Sequence, residues 1–203
     1  MSRGEAIAVI SPSAAEQWGM VTAGQVRRLG VSRVDLGRLI SDGSVAPVYE
    51  ASRVYRLTGV AENYDLDPLR AAWLQLGGES FWHERAKDPD VVVSHRSAAH
   101  VWGLGDLIPR RHEFYATTRL RPRRDDIKIR VHAGLDPDAS EMHDGLPVTS
   151  IATTICDLFA AGEDVSAVRQ VVSDALELGL VTDRSLRNYP HFPVSLLPDG
   201  VMA

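Results

Sequence analysis

A chain of 203 residues, 44% of them apolar, is long enough for one large domain or two small ones with packed cores. Its net charge of −5 excludes a protein that is basic throughout, its single cysteine, Cys156, excludes an internal disulfide, and no Cys-His grouping offers a zinc site. With no apolar run of spanning length and no secretory pattern at the N-terminus, a cytoplasmic protein without a membrane partner is expected.

In chain order, the first informative segment is VTAGQVRRLGVSRVDLGRLISDGSVAPVYEASRVYRL, Val21 to Leu57. Thr22 suits the N-cap of a helix carrying Val26 and Leu29, and Gly30 supplies a turn. Ser32 caps a second helix whose Leu36, Leu39 and Ile40 share one side. Opposite that stripe lie Val34, Gly37, Arg38 and Ser41, with Arg33 at the flank, where a helix entering a major groove meets base edges. Val45 to Val48 and Val54 to Leu57 alternate like two short strands of a wing, which has Glu50 and no glycine at its tip. Arg53 and Arg56 on that ribbon are placed for a phosphate backbone. The pattern is that of a winged helix-turn-helix.

Charge supports a nucleic-acid-binding end. Arg27, Arg28, Arg33, Arg38, Arg53 and Arg56 face only Asp35, Asp42 and Glu50, a local excess of +3 in an acidic chain. The expected DNA contacts are those six arginines with Val34 and Ser41, giving salt-sensitive, moderate affinity that needs two half-sites.

Thr58 to Pro68 is polar and turn-rich, so the division is expected as a DNA-binding domain at 1–60, a second domain at 61–190 and an irregular tail at 191–203, which holds Pro193 and Pro198. The fold class is α+β, a winged helix-turn-helix followed by a mixed domain with a small sheet and several helices. The second domain reads as a helix at Leu69 to Leu76 and another from Ser94 through Trp102, ended by Gly103. Strands at His112 to Thr118 and Ile127 to Ala133 follow, joined as a hairpin by RLRPRRDD. A third strand, Leu146 to Val148, feeds a helix capped by Thr149 or Ser150, and helices at Ser166 to Leu178 and Asp183 to Tyr189 close the domain.

Arg110 to Arg130 holds eight basic residues against three acids, among them Arg119, Arg121, Arg123 and Arg124 in the connection. This is either a solvated hairpin tip or a docking surface for an acidic protein or nucleic acid. Ser94, His95, Arg96 and Ser97 open a helix, Ser94 reading as N-cap and Ser97 as a first-turn donor, while His95 and Arg96 stand where helix N–H groups hold an anion. Asp157 lies among apolar residues and needs a partner, for which Arg96 is the candidate. Cys156 reads as a buried, unreactive thiol. No GxxxxGK[ST], HRD or DFG run is present and the histidines lack ligand spacing, so neither cofactor nor metal is expected and catalytic residues are unknown.

Together, the Val21 to Leu57 segment, VVVSHRSAAHVWGL and GLPVTSIATTICDLF, in this order over most of the chain, resemble the AbiEi-type antitoxins of type IV toxin-antitoxin systems. The resemblance implies a winged helix that represses its own operon at promoter repeats, and a C-terminal antitoxin domain. The latter counteracts a co-expressed nucleotidyltransferase-like toxin without a required tight complex. From the helix start and the charge density of the connection, the expected toxin or anion contacts are Ser94, His95, Arg96, Ser97, Arg119, Arg121, Arg123 and Arg124. Some similar proteins continue into a nuclease-like domain, and a nuclease is not expected here. Two other readings stand beside it: an antitoxin acting enzymatically, as an atypical serine kinase on the toxin, and an ordinary winged-helix regulator.

Overall fold

Ser2, Thr22 and Ser32 each accept a hydrogen bond from the backbone N–H three residues on, and so start the first three helices, α1 (Arg3–Glu16), α2 (Ala23–Arg28) and α3 (Arg33–Ser41). The computed structural model describes residues 1–122, 124–132 and 139–198. The fold is α+β, and the chain divides into two units, Met1–Pro89 and Asp90–Ala203.

In the first unit, β1 (Met20–Thr22), β2 (Val45–Pro47) and β3 (Val54–Leu57) form an antiparallel sheet in the order β1-β3-β2, with Val21 opposite Tyr55 and Ala46 opposite Arg56. Gly30, at φ 81°, turns the chain between α2 and α3 in a conformation that a side chain would strain. Ile10, Val21, Val26, Leu36, Leu39 and Val45 meet in one core, with Leu29 and Ile40 packed against it. This is a winged helix-turn-helix with an additional first helix. α1 was not foreseen, although Ser2 and Glu5 make a reciprocal capping box at its start.

The division expected at residue 60 lies instead at residue 89. Thr58 donates its N–H to the Ser44 carbonyl, and Arg56 on β3 pairs with Asp67, the first residue of α4 (Asp67–Gly77). α4 buries Leu69, Trp73 and Leu74, and a short α5 (Trp82–Arg85) follows within the same unit. The polar stretch is thus a turn into an integral helix and not a linker.

The second unit holds a five-stranded mixed sheet in the order β6-β5-β4-β8-β7. Its strands are β4 (Val91–Val93), β5 (His112–Ala116), β6 (Ile127–Val131), β7 (Ser140–His143) and β8 (Leu146–Thr149). The expected hairpin is absent: β5 and β6 run parallel, His112 beside Ile127, so residues 117–126 carry the chain back to the starting end of β5. β7 was not foreseen. It pairs antiparallel with β8 through Asp144 and Gly145, both at positive φ, a two-residue turn of the kind Asp-Gly favours.

α6 (His95–Trp102) follows β4, and α7 (Ile151–Ala160) follows β8 with Ser150 as its cap. α8 (Val165–Glu177) and α9 (Asp183–Asn188) complete a core containing Ile155, Leu158, Val171, Val172 and Leu186. The tail expected to be irregular contributes Phe192, Leu196 and Leu197 to that core, the last two around a 3-10 turn at Val194–Leu196. Its apolar residues reach the core despite Pro193 between them and Pro198 after them. Among the described residues, no helix is long and apolar enough to cross a membrane.

Candidate functional site

Burial of Leu36 and Leu39 fixes the roll of α3, which leaves Arg33, Val34, Gly37, Arg38 and Ser41 exposed on the outward side. Ser41 turns its hydroxyl to the Gly37 carbonyl at 2.9 Å, so its donor is already satisfied within the helix. The Arg33 side chain has no hydrogen-bond or ion-pair partner among the described residues. Asp35 puts a carboxylate on this helix, but its charge is answered locally. It accepts from the Ser32 hydroxyl at 2.7 Å and from Arg38 Nη1 at 3.1 Å, and the Met1 ammonium lies 3.8 Å away. The Ser32 hydrogen bond, first among these, holds the Asp35 carboxyl below the usual carboxylate range.

The other arginines expected at DNA divide. Arg53 is exposed beside the wing and adopts φ 63°, as Glu50 does at 57°, so the tip makes its turns with left-handed residues where glycine is missing. Arg27 pairs with Glu79, and Arg28 grips Glu84 through both terminal nitrogens at 2.6 Å, with its guanidinium 4.9 Å from the centre of the Phe81 ring. Two acids from the segment after α4 therefore offset part of the local positive excess. Arg56 is not a backbone contact at all. It is only 6% exposed, paired with Asp67, and donates to the carbonyls of Trp18 at 3.3 Å and Ala61 at 3.1 Å.

In the second unit, Ser94 stands at the N-cap position of α6 but its side chain does not cap; its Oγ lies 3.0 Å from His95 Nδ1. The cap comes from elsewhere. Glu113 on β5 accepts the Arg96 N–H at 3.1 Å, and Ser97 accepts the Glu113 N–H at 2.9 Å. The carboxylate of Glu113 occupies the place foreseen for a bound anion, and Arg130 at 3.1 Å and Lys128 at 3.4 Å also converge on it. Arg96 grips Glu163 with two nitrogens, and so is not the partner of Asp157.

Asp157 instead accepts from the Tyr115 hydroxyl at 2.8 Å through Oδ1, while its buried Oδ2 has no partner among the described residues. Burial pushes this carboxyl up to about 6 and raises the Tyr115 hydroxyl as well. His95, whose ring centre lies 5.3 Å from that of Tyr115, is driven down to about 4, first by burial and then by Arg130. It holds φ 53° at the sharp turn from strand to helix, a strained value for a residue with a side chain. Burial likewise raises Cys156 to about 11, which keeps it a thiol.

Glu113, Tyr115 and Glu163 were missed by the sequence reading. The parallel register places Glu113 beside Lys128 and Tyr115 beside Arg130, and that direction of pairing leaves no local signal. Arg119 and Arg121 are exposed, Arg124 is half-buried and gripped by Asp126, and Arg123 lies outside the described residues. Among the described residues, no group of three or more His, Cys, Asp or Glu side chains is placed to hold a metal ion.

No family model and no curated protein matches the chain. Among solved structures, the crystal structure of the Rv2827c protein from Mycobacterium tuberculosis superposes on 95% of this chain and 73% of its own, with a TM-score of 0.51 and 16% sequence identity. At that identity the likeness is one of fold.

Proposed function

We propose that this chain is an AbiEi-type antitoxin of a type IV toxin-antitoxin system, cytoplasmic, whose first unit represses its own operon and whose second unit counteracts a co-expressed nucleotidyltransferase-like toxin. The observation that carries the DNA-binding half is the exposed face of α3, where Arg33, Val34 and Arg38 stand clear of the core that buries Leu36 and Leu39. The antitoxin half rests on the resemblance of the three sequence motifs. Two of these motifs meet in the cluster of His95, Tyr115 and Asp157.

The test is co-expression with the adjacent reading frame, joined to a binding assay on duplex DNA from upstream of the gene. Rescue of growth and salt-sensitive retention of that duplex are expected. Growth arrest unrelieved by the chain removes the antitoxin reading, and duplex retention without rescue leaves an ordinary regulator.

One observation favours a second reading, in which the antitoxin modifies the toxin as an atypical serine kinase. Asp157, its carboxyl raised to about 6 by burial and its Oδ2 unpartnered among the described residues, is the group proposed as base in this reading. The reading requires the site to open, because that Oδ2 is buried and Tyr115 occupies Oδ1. An ATP-dependent mass increase of the purified toxin, lost with Asp157→Asn, supports this reading. An unchanged toxin mass in the presence of active antitoxin removes it.

A further inference from the structure

Resting on the DNA-binding reading above, we infer that the half-site read by α3 contains a thymine whose 5-methyl group packs on Val34, within about two base-pair steps of a guanine held by Arg38.

Val34 is 64% exposed on the outward side of a helix whose opposite side is anchored by Leu36 and Leu39, so it cannot roll into the core. Its neighbours on that side are Arg33, Gly37 and Arg38. An apolar side chain set between two cations has no reason to be there for phosphate, which the arginines serve. Among the groups that a major groove displays, the apolar one is the thymine methyl. Valine is also stiff about χ1 in a helix, so its two methyls are held out in one orientation before any partner arrives.

The placement of Arg38 sets the distance. Val34 and Arg38 are one helical turn apart on the same side, about 5 to 6 Å, against about 3.4 Å per base-pair step. Asp35 accepts from Arg38 Nη1 at 3.1 Å and is itself held by Ser32, so one edge of the guanidinium is restrained. A restrained guanidinium suits the O6 and N7 acceptors of a guanine. Gly37, with nothing within 4 Å of where a Cβ would be, leaves open space on the same side for a base edge to approach.

The experiment selects duplexes from a library with a random 20-base-pair core, using the full chain, and then replaces each thymine of the enriched half-site singly with deoxyuridine, which removes only the 5-methyl. One replacement per half-site is expected to weaken binding by wild-type protein about fourfold, the effect of uncovering one buried methyl. With Val34→Ala the thymine duplex should bind about fourfold more weakly than with wild type, and the deoxyuridine duplex no worse than that. The substitution is at an exposed position, and the deoxyuridine series with wild-type protein does not depend on it. A half-site without thymine, silent replacements throughout, or an equal deoxyuridine effect in Val34→Ala each overturn the inference while leaving DNA binding in place. Failure to retain or enrich any duplex overturns the DNA-binding reading, and this inference with it.

Discussion

Arg56 and Asp67 form a buried ion pair that fastens the middle strand of the wing sheet to the start of α4. Both side chains are 8% exposed, and Asp67 also accepts the Asn63 N–H at 2.7 Å, so the pair closes the turn that the sequence presents as a linker.

Removing one partner leaves a buried charge. Asp67→Ala should destabilise the first unit by about 3 to 5 kcal/mol, against about 1 kcal/mol or less for Glu79→Ala at the exposed pair with Arg27. Urea denaturation of the two variants measures the contrast; equal losses would show that the Arg56 guanidinium is solvated.

On DNA, the arginines should separate by role. Arg38→Ala should cost about 1 to 3 kcal/mol on the selected site and little on unrelated duplex, whereas Arg53→Ala should weaken both alike and lower the salt slope by about one. Titrations at several salt concentrations check this. A loss with Arg38→Ala that is the same on every sequence would place that side chain on phosphate.

Asp157 and His95 should give opposite pH dependences. The Asp157 carboxyl is raised from 3.8 to about 6 in the fold, so the folded state holds the extra proton and the stability from this group, complete below about pH 3.8, is lost as pH rises to about 6. His95 is depressed from 6.5 to about 4, so its contribution is present above about pH 6.5 and lost as pH falls through about 4. The two largely cancel in the wild type. Asp157→Asn should unmask the histidine, its stability relative to wild type increasing by up to about 3 kcal/mol between pH 4 and pH 6. A constant difference across that range would mean that Asp157 titrates as an ordinary carboxylate.

The basic connection between β5 and β6 is best tested at its free arginines. Reversal of Arg119 and Arg121 to glutamate should leave stability within about 0.5 kcal/mol and reduce rescue from the toxin. Arg124 is excluded because it grips Asp126, and its reversal would disturb the connection itself. Full rescue at matched protein levels would mark the segment as solvated surface.

The caps at Thr22 and Ser32 were among the most legible features of this chain, because a Ser or Thr side chain that satisfies a helix N–H acts within three residues, whereas Ser94 shows that the residue type at a helix start does not ensure the bond. Arg56 was misplaced although its position was readable: Val54 and Arg56 are two apart on one strand and therefore share its buried face. Asp144 with Gly145 likewise signalled the β7-β8 turn. Other features had no local trace. Whether β6 returns parallel or antiparallel to β5 depends on where residues 117–126 lead, and the convergence of Arg96, Lys128 and Arg130 on Glu113 exists only once that direction is set.

The parallel pairing of Val93 with Val148 joins the two halves of the sheet in the second unit. Synthesis makes β4 well before β8, so Val91, Val92 and Val93, a β-branched run with all three side chains buried in the fold, emerge from the ribosome with one edge unfilled. The first unit, built from neighbouring helices and short strands, has no comparable wait. A chain ended before Leu146 would leave that edge of β4 without its partner. Such a shortened chain should aggregate more readily than the whole one, a difference that light scattering of the two would measure.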